Sequence, residues 1–203
     1  PLILTASLMM SCAPRTQNAP ANTQLPRLPG MQEARYVEVG GEQVYYEVGG
    51  QGSPLVLIHG IGGGNSSHQW MNNTAALLYA LDIPGFGRSP AQAKKYTAQL
   101  YINSLKDFLS KVSGEGSAVI ASSLPAAYSI EIAVRQPKLI SKLLLVSPTG
   151  LGTLTRPPND GQYNNFVNTP LGPLLGATLR GRSGINFFLY NQVYLDGSKI
   201  TPA

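Results

Sequence analysis

Residues 118–137 read AVIASSLPAAYSIEIAVRQP. Ala118 to Ala121 is a short apolar run of the kind found in a strand buried on both faces. Ser122-Ser123 follows at once, and residues 125–135 read as a helix with Pro125 in its first turn, where a missing N–H removes no helical bond. A strand that gives way to a helix without an intervening loop must turn sharply. Such a turn can push one side chain out in a strained conformation, provided that the residues two positions away on either side are small. The helix N-terminus behind it favours negative charge, on an activated hydroxyl or on a tetrahedral intermediate. Two serines compete for that position; in the plainer reading they merely cap a buried helix.

The same alternation extends outward. Pro54 starts a continuous apolar run at residues 55–58, and residues 77–81 and 143–146 repeat the pattern, each predicting a buried strand. In residues 97–112 the apolar side chains Leu105, Phe108, Leu109 and Val112 recur at helical spacing, with Gly114 as the C-terminal stop. Nearer the N-terminus, residues 35–39 and 43–48 alternate apolar and polar side chains around Gly40-Gly41, which predicts a two-residue β-hairpin. Strands alternating with helices at this spacing give an α/β class: a mostly parallel sheet with helices on both faces and an N-terminal hairpin.

In such sheets, ligands bind at the carboxyl ends of the strands. The loop after residue 58 reads His59-Gly60-Ile61-Gly62-Gly63-Gly64, whose glycines let backbone N–H groups face a cleft and stabilise an oxyanion or a phosphate. Asn65-Ser66 stands where a phosphate-binding loop needs Gly-Lys-Ser/Thr, so phosphate binding is disfavoured; a plain flexible turn is the other reading. The next loop, residues 82–89 (DIPGFGRS), is a sharp turn in which Asp82 reads as a turn-capping carboxylate rather than a catalytic acid.

Composition narrows the function. The 203 residues carry 15 Lys+Arg and 10 Asp+Glu, a formal charge of +5, with no basic run longer than Lys94-Lys95 and no aromatics interleaved with a basic stripe. Nucleic acid is therefore not an expected partner. One Cys excludes an internal disulfide framework and a Cys-based metal site, and two His, both before residue 70, leave little for metal ligation. No metal or cofactor is expected.

Taken together, PLVLIHGIGGG (54–64), YALDIPGFGRS (79–89), ASSLPAAYSIEIAVRQP (121–137) and LLLVSPTG (143–150) resemble the α/β-hydrolase fold superfamily, over residues 35–150. The resemblance implies a serine hydrolase acting by acyl transfer. In the family's usual elbow the nucleophile precedes the Pro that ends the following helix by fourteen residues, which selects Ser123 over Ser122. Ala121 and Pro125 then replace the two glycines of the elbow, and the ring of Pro125 fills space the elbow normally leaves empty. The oxyanion donors would be the backbone N–H of Leu124 and of Ile61 or Gly62, with His59 orienting the loop. His68 is expected exposed on a short helix. Between Trp70 and Tyr79 the chain has fewer residues than the family normally uses for a helix and its return. Relatives that perform dehalogenation or epoxide opening place Asp where Ser123 stands, which disfavours those chemistries.

The family's catalytic order is Ser, then Asp or Glu, then His, and no His follows His68. Asp160 and Asp196 lie where the family inserts its lid. The acid and base are therefore expected beyond residue 203, with residues 151–203 as the start of the lid, the C-terminal core strands missing and this stretch inactive by itself. Phe166, Phe187, Phe188, Tyr163, Tyr190 and Tyr194 in that segment suggest an apolar mouth and an uncharged, ester-like small-molecule substrate; they equally suit packing of the lid on the core.

Residues 1–12 read as the end of a secretory signal, an apolar run closing on Ser11-Cys12. A small residue before Cys12 resembles the lipobox of bacterial lipoproteins, so Cys12 is the lipidation candidate, an incidental Cys being the alternative. Residues 13–34 are then a flexible tether, and the protein would lie outside the cytoplasm, secreted or membrane-anchored. A non-catalytic, membrane-tethered binding protein on the same fold is the alternative function.

Overall fold

The structure, a computed structural model, describes residues 25–62, 64–73, 77–92 and 94–151, with Gly161 and Thr169. Residues 1–24, with Cys12, and nearly all of the expected lid lie outside the described residues. Six strands, β1 (Glu33–Val39), β2 (Glu42–Gly49), β3 (Pro54–Ile58), β4 (Leu77–Asp82), β5 (Ser117–Ser122) and β6 (Ile140–Val146), form one sheet in the order β1-β2-β4-β3-β5-β6. The helices are α1 (Ala98–Phe108) and α2 (Leu124–Arg135). β4, β3, β5 and β6 run parallel, while β1 and β2 join antiparallel at one edge.

Local sequence explains most of these elements. Val39 pairs with Glu42 across Gly40-Gly41, whose φ values of 60° and 75° are those of a type I′ turn. Val56, Leu57 and Ile58 are all within 1% of full burial, as a strand covered on both faces requires. Thr97 caps α1, its Oγ1 accepting from Leu100 N–H at 3.2 Å. The helical spacing predicted α-helix through Val112, but the last turn, Leu109–Ser113, widens to a π-helix before Gly114 closes it at φ 87°. Ser113 closes this wider turn, its Oγ donating to Leu109 O at 3.4 Å and meeting Ser117 Oγ at 2.9 Å. β6 starts earlier than its apolar run: Ile140 pairs with Ser117 and Lys142 with Ala118, and a register shift between them leaves the exposed Ser141 without a strand partner.

Both described helices pack on one face of the sheet. Tyr101, Leu105 and Phe108 of α1 and Ala126, Tyr128 and Ile132 of α2 share a core with Val56, Ile58, Leu81, Val119 and Ala121, and Tyr101 stacks on Tyr128 at 5.9 Å. On the opposite face, Leu57, Leu78 and Ala80 are covered by Trp70, from the 3-10 turn Ser67–Trp70, and by Leu28 and Met31. That turn ends at Trp70, where the short stretch before β4 begins, and residues 74–76 of that stretch lie outside the described residues.

The tether reading of residues 13–34 requires correction where the structure describes it. Leu28 is 3% exposed, its N–H donates to Glu47 Oε2 at 2.8 Å, and Gln32 N–H donates to Val48 O at 3.0 Å. β1 begins at Glu33. The polar, Pro-rich composition suggested a solvated segment, but two apolar side chains and a buried carboxylate are enough to hold residues 26–32 on the sheet.

From β3 the chain passes to β4 on one side, and β5 then joins on the other. This reversal opens a crevice at the carboxyl ends of β3 and β5, where the loops starting at His59 and Ser123 meet.

Candidate active site

Ser122 is the last residue of β5, pairs with Val146 and is buried. Ser123 follows with φ 60° and ψ −132°, a conformation that L-residues adopt only when their surroundings impose it. Its N–H donates to Val146 O at 3.0 Å, and its carbonyl accepts from Ala126 N–H at 3.1 Å and from Thr149 N–H at 3.3 Å. Although Ser123 occupies the N-cap position of α2, its side chain makes no capping hydrogen bond. The helix-capping alternative therefore does not describe it, and the hydroxyl is left to other partners.

Pro125 is compatible with this turn. It sits in the first turn of α2, buried, where no helical N–H is required, and its carbonyl accepts from Ser129 Oγ at 2.8 Å. Ala121, on the other side, is fully buried between Ile58 and Leu145.

The loop after β3 abuts the Ser123 turn. A Cβ placed on Gly60 would lie 3.2 Å from Ser123 Cβ, a tight contact, and 3.6 Å from Ser122 Oγ, an ordinary one, so the loop runs close against the two serines. The loop is held from behind: Gly60 N–H donates to Gln69 Oε1 at 3.0 Å, and Gly60 O accepts from Asn65 Nδ2 at 3.0 Å. Asn65 N–H closes the turn onto Gly62 O at 3.2 Å. Ile61 and Gly62 are half-buried, and their N–H groups have no hydrogen-bond acceptor among the described residues. Leu124, the first residue of α2, likewise has no carbonyl one turn earlier in its own helix.

His59 is fully buried, with both ring nitrogens engaged by backbone. Nε2 accepts from Ile83 N–H at 3.1 Å, which leaves the proton on Nδ1 to donate to Gly60 O at 2.8 Å. Burial holds its pKa below the ordinary imidazole value, against the opposing pull of nearby Asp82. It joins the loops after β3 and β4. His68 differs from expectation: it lies in the 3-10 turn, half-buried, with both ring nitrogens shielded and unpartnered among the described residues.

Asp82 is a buried structural carboxylate. Oδ1 accepts from Ser67 N–H at 2.6 Å, and Oδ2 accepts from Arg88 N–H at 2.8 Å and Arg88 Nε at 3.2 Å. Arg88 also pairs with Glu47, bonds Tyr45 OH at 3.0 Å and Ser67 Oγ at 3.1 Å, and lies 4.1 Å over the Tyr45 ring. Glu47, Asp82 and Arg88 are 0%, 0% and 4% exposed.

Sequence reasoning passed over Thr149. Its Oγ1 lies 3.3 Å from Ser123 Oγ, the one side-chain partner of that hydroxyl among the described residues. Asn65 and Gln69 were also passed over as the braces of the glycine loop. A signal for Thr149 exists only in the order of strands: β6 adjoins β5, so the residues just after each must meet. Among the described residues no group of three His, Cys, Asp or Glu is placed to hold a metal ion.

Comparison with known proteins agrees with this architecture. A family model for the alpha/beta hydrolase fold matches residues 53–180. The chain is 31% identical over 124 residues to a 2-hydroxy-6-oxo-6-(2'-aminophenyl)hexa-2,4-dienoic acid hydrolase of Metapseudomonas resinovorans, covering 58% of this chain and 43% of that protein. It is 31% identical over 133 residues to the dihydrolipoyllysine-residue acetyltransferase component of the acetoin cleaving system of Pseudomonas putida, covering 62% and 34%. The chain thus spans less than half the length of these relatives. Among solved structures, naproxen esterase from Bacillus subtilis superposes with a TM-score of 0.63 at 24% identity, over 86% of this chain and 59% of that one. An epoxide hydrolase from Vigna radiata gives 0.63 at 17%, over 78% and 57%. At these identities the structural likeness is one of fold. The relatives include hydrolases of small molecules, and with the sheet order, the loop placement and the family match over more than half its length, the chain belongs to the alpha/beta hydrolase fold family.

Proposed function

We propose that the chain supplies the nucleophile and oxyanion side of a serine hydrolase that transfers an acyl group from an uncharged, apolar ester-like substrate to water. One observation carries the proposal: Ser123 is held at φ 60° at the start of α2 while its hydroxyl caps nothing. In this reading Ser123 Oγ attacks the carbonyl carbon, and the N–H groups of Leu124 and of Ile61 or Gly62 receive the developing oxyanion. A base takes the serine proton and returns it to the leaving alcohol; water then releases the acid by the same route. His59 is not the base in this reading, since both of its nitrogens are committed to backbone. A serine at 123 favours acyl transfer over the dehalogenase and epoxide-opening chemistry of fold relatives. Lipidation at Cys12, and with it a place outside the cytoplasm on a membrane, belongs to the same proposal.

The test is turnover of p-nitrophenyl esters of increasing chain length by the full-length protein. Ser123→Ala is expected to lower kcat by at least about a thousandfold, the scale seen when a catalytic serine is removed, with Ser122→Ala close to wild type. The reverse pattern would overturn the assignment, and a rate that does not grow with chain length would remove the apolar-substrate part. A second reading, a non-catalytic binding protein on this fold, is favoured by the pairing of Ser123 with Thr149 rather than with a histidine; wild-type inactivity with intact ligand binding would support it.

A further inference from the structure

Two non-glycine residues among the described residues have positive φ, Ser123 at 60° and Ser147 at 44°. They occupy equivalent places: β5 ends at Ser122 and β6 at Val146, two residues that pair directly, and each strained serine is the next in the chain. Non-glycine residues hold such conformations only where the surroundings impose them, and these sites concentrate where groups must be aimed.

Thr149 connects the two turns. Its N–H donates to the Ser123 carbonyl at 3.3 Å, and its Oγ1 lies 3.3 Å from Ser123 Oγ. Gly150, at φ 84°, follows; a Cβ there would stand 3.2 Å from Leu124 Cδ2, so this segment lies close against the first residue of α2. Thr149 itself is exposed, so packing does not account for its side chain.

We propose that Thr149 is a positioning residue for the Ser123 hydroxyl. The inference rests on the reading of Ser123 as nucleophile and adds the group that fixes its direction. A serine hydroxyl has three staggered χ1 wells, and the half-buried Ser123 has no other side-chain partner among the described residues to choose among them. Thr149, β-branched and tied by its own N–H, offers a hydroxyl of restricted χ1 on one side of Ser123. With Thr149 donating to a lone pair of Ser123 Oγ, the serine proton remains free for a base and the other lone pair faces the substrate.

The experiment uses the full-length protein and an alkyl fluorophosphonate. Ser123 Oγ bonds to phosphorus, fluoride leaves, and the serine proton passes to the base; intact-protein mass spectrometry follows the rate and peptide mapping locates the label. Thr149→Val keeps the shape and the backbone N–H but removes the hydroxyl. Its labelling rate is expected to fall about fivefold to tenfold, the scale of one lost neutral hydrogen bond, with kcat for p-nitrophenyl esters falling in parallel and KM nearly unchanged. Thr149→Ser is expected to restore most of both. Wild-type labelling in Thr149→Val overturns the role of Thr149 and leaves the nucleophile intact, whereas equal losses in the Val and Ser variants reduce Thr149 to packing and also overturn it. A wild-type protein that takes no label at Ser123 removes the nucleophile reading first, and the role of Thr149 with it.

Discussion

The loops after β4 and β5 begin at the same place, the carboxyl end of a parallel strand, and reach opposite states. After β4, nearly every polar atom is used. Asp82 accepts three hydrogen bonds, and Arg88 bridges it to Glu47 while also bonding Tyr45, Ser67 and the carbonyl of Pro26. After β5, Ser123 sits in a strained conformation, its hydroxyl caps nothing, and its side-chain contact is a long one to Thr149. The first loop spends its charges on holding the structure together. The second carries strain and leaves a polar atom available, which a fold sustains only if the surrounding elements are rigid. The contrast separates a carboxylate committed to structure from a hydroxyl left available, by what each atom already holds.

The largest effect on stability should come from breaking the saturated loop. Arg88→Ala leaves Glu47 and Asp82 buried without a cation, and should destabilise the fold by about 3–5 kcal/mol; the midpoint of urea unfolding measures it. A loss below 1 kcal/mol would mean that the network is not the clamp described here.

Next in size is the pH dependence at His59, which belongs to the saturated side. Its folded-state pKa is lowered from the unfolded value of 6.5, chiefly by burial. The unfolded chain therefore binds more protons as the pH falls below 6.5, so this contribution to stability is complete above that value and declines on acidification. The slope cannot exceed one proton, about 1.4 kcal/mol per pH unit. The drop in thermal midpoint between pH 7.5 and 5.5 should be smaller in His59→Asn than in wild type; equal drops would refute the effect.

The smallest expected change sharpens the open side. Ser123→Gly removes a side chain from a positive-φ position and should stabilise the fold by about 1 kcal/mol while abolishing ester turnover in the full-length protein. Destabilisation in differential scanning calorimetry would show that the Ser123 side chain is not strained in the way its backbone angles imply. A gain in stability together with a loss of activity is the signature of strain held for a purpose.

Much of this was legible in the chain itself. The runs at 55–58 and 77–81 are continuous because both faces of those strands are covered, and Gly40-Gly41 marks a turn that needs positive φ at both residues. Residues 26–32 were misread because their composition is that of a solvated segment, while their order comes from Leu28 and Met31 meeting the sheet and from an N–H reaching Glu47. Glu47 itself belongs to an alternating strand that reads as half-exposed, yet it is fully buried because Arg88, 41 residues later, lies over it. His68 read as an exposed helical residue, whereas its ring nitrogens are shielded.

The sequence by itself determined the α/β class, the strand-turn-helix at residues 118–135 and the glycine loop that faces it, because backbone sterics and the spacing of apolar side chains are local properties written residue by residue. Only the tertiary structure decided which charges neutralise one another, that Ser123 is held at positive φ with no helix-capping bond, and that Thr149 stands beside it. Those outcomes depend on strand order and on pairings such as Ser122 with Val146, contacts between residues far apart in the chain whose partners no local pattern encodes.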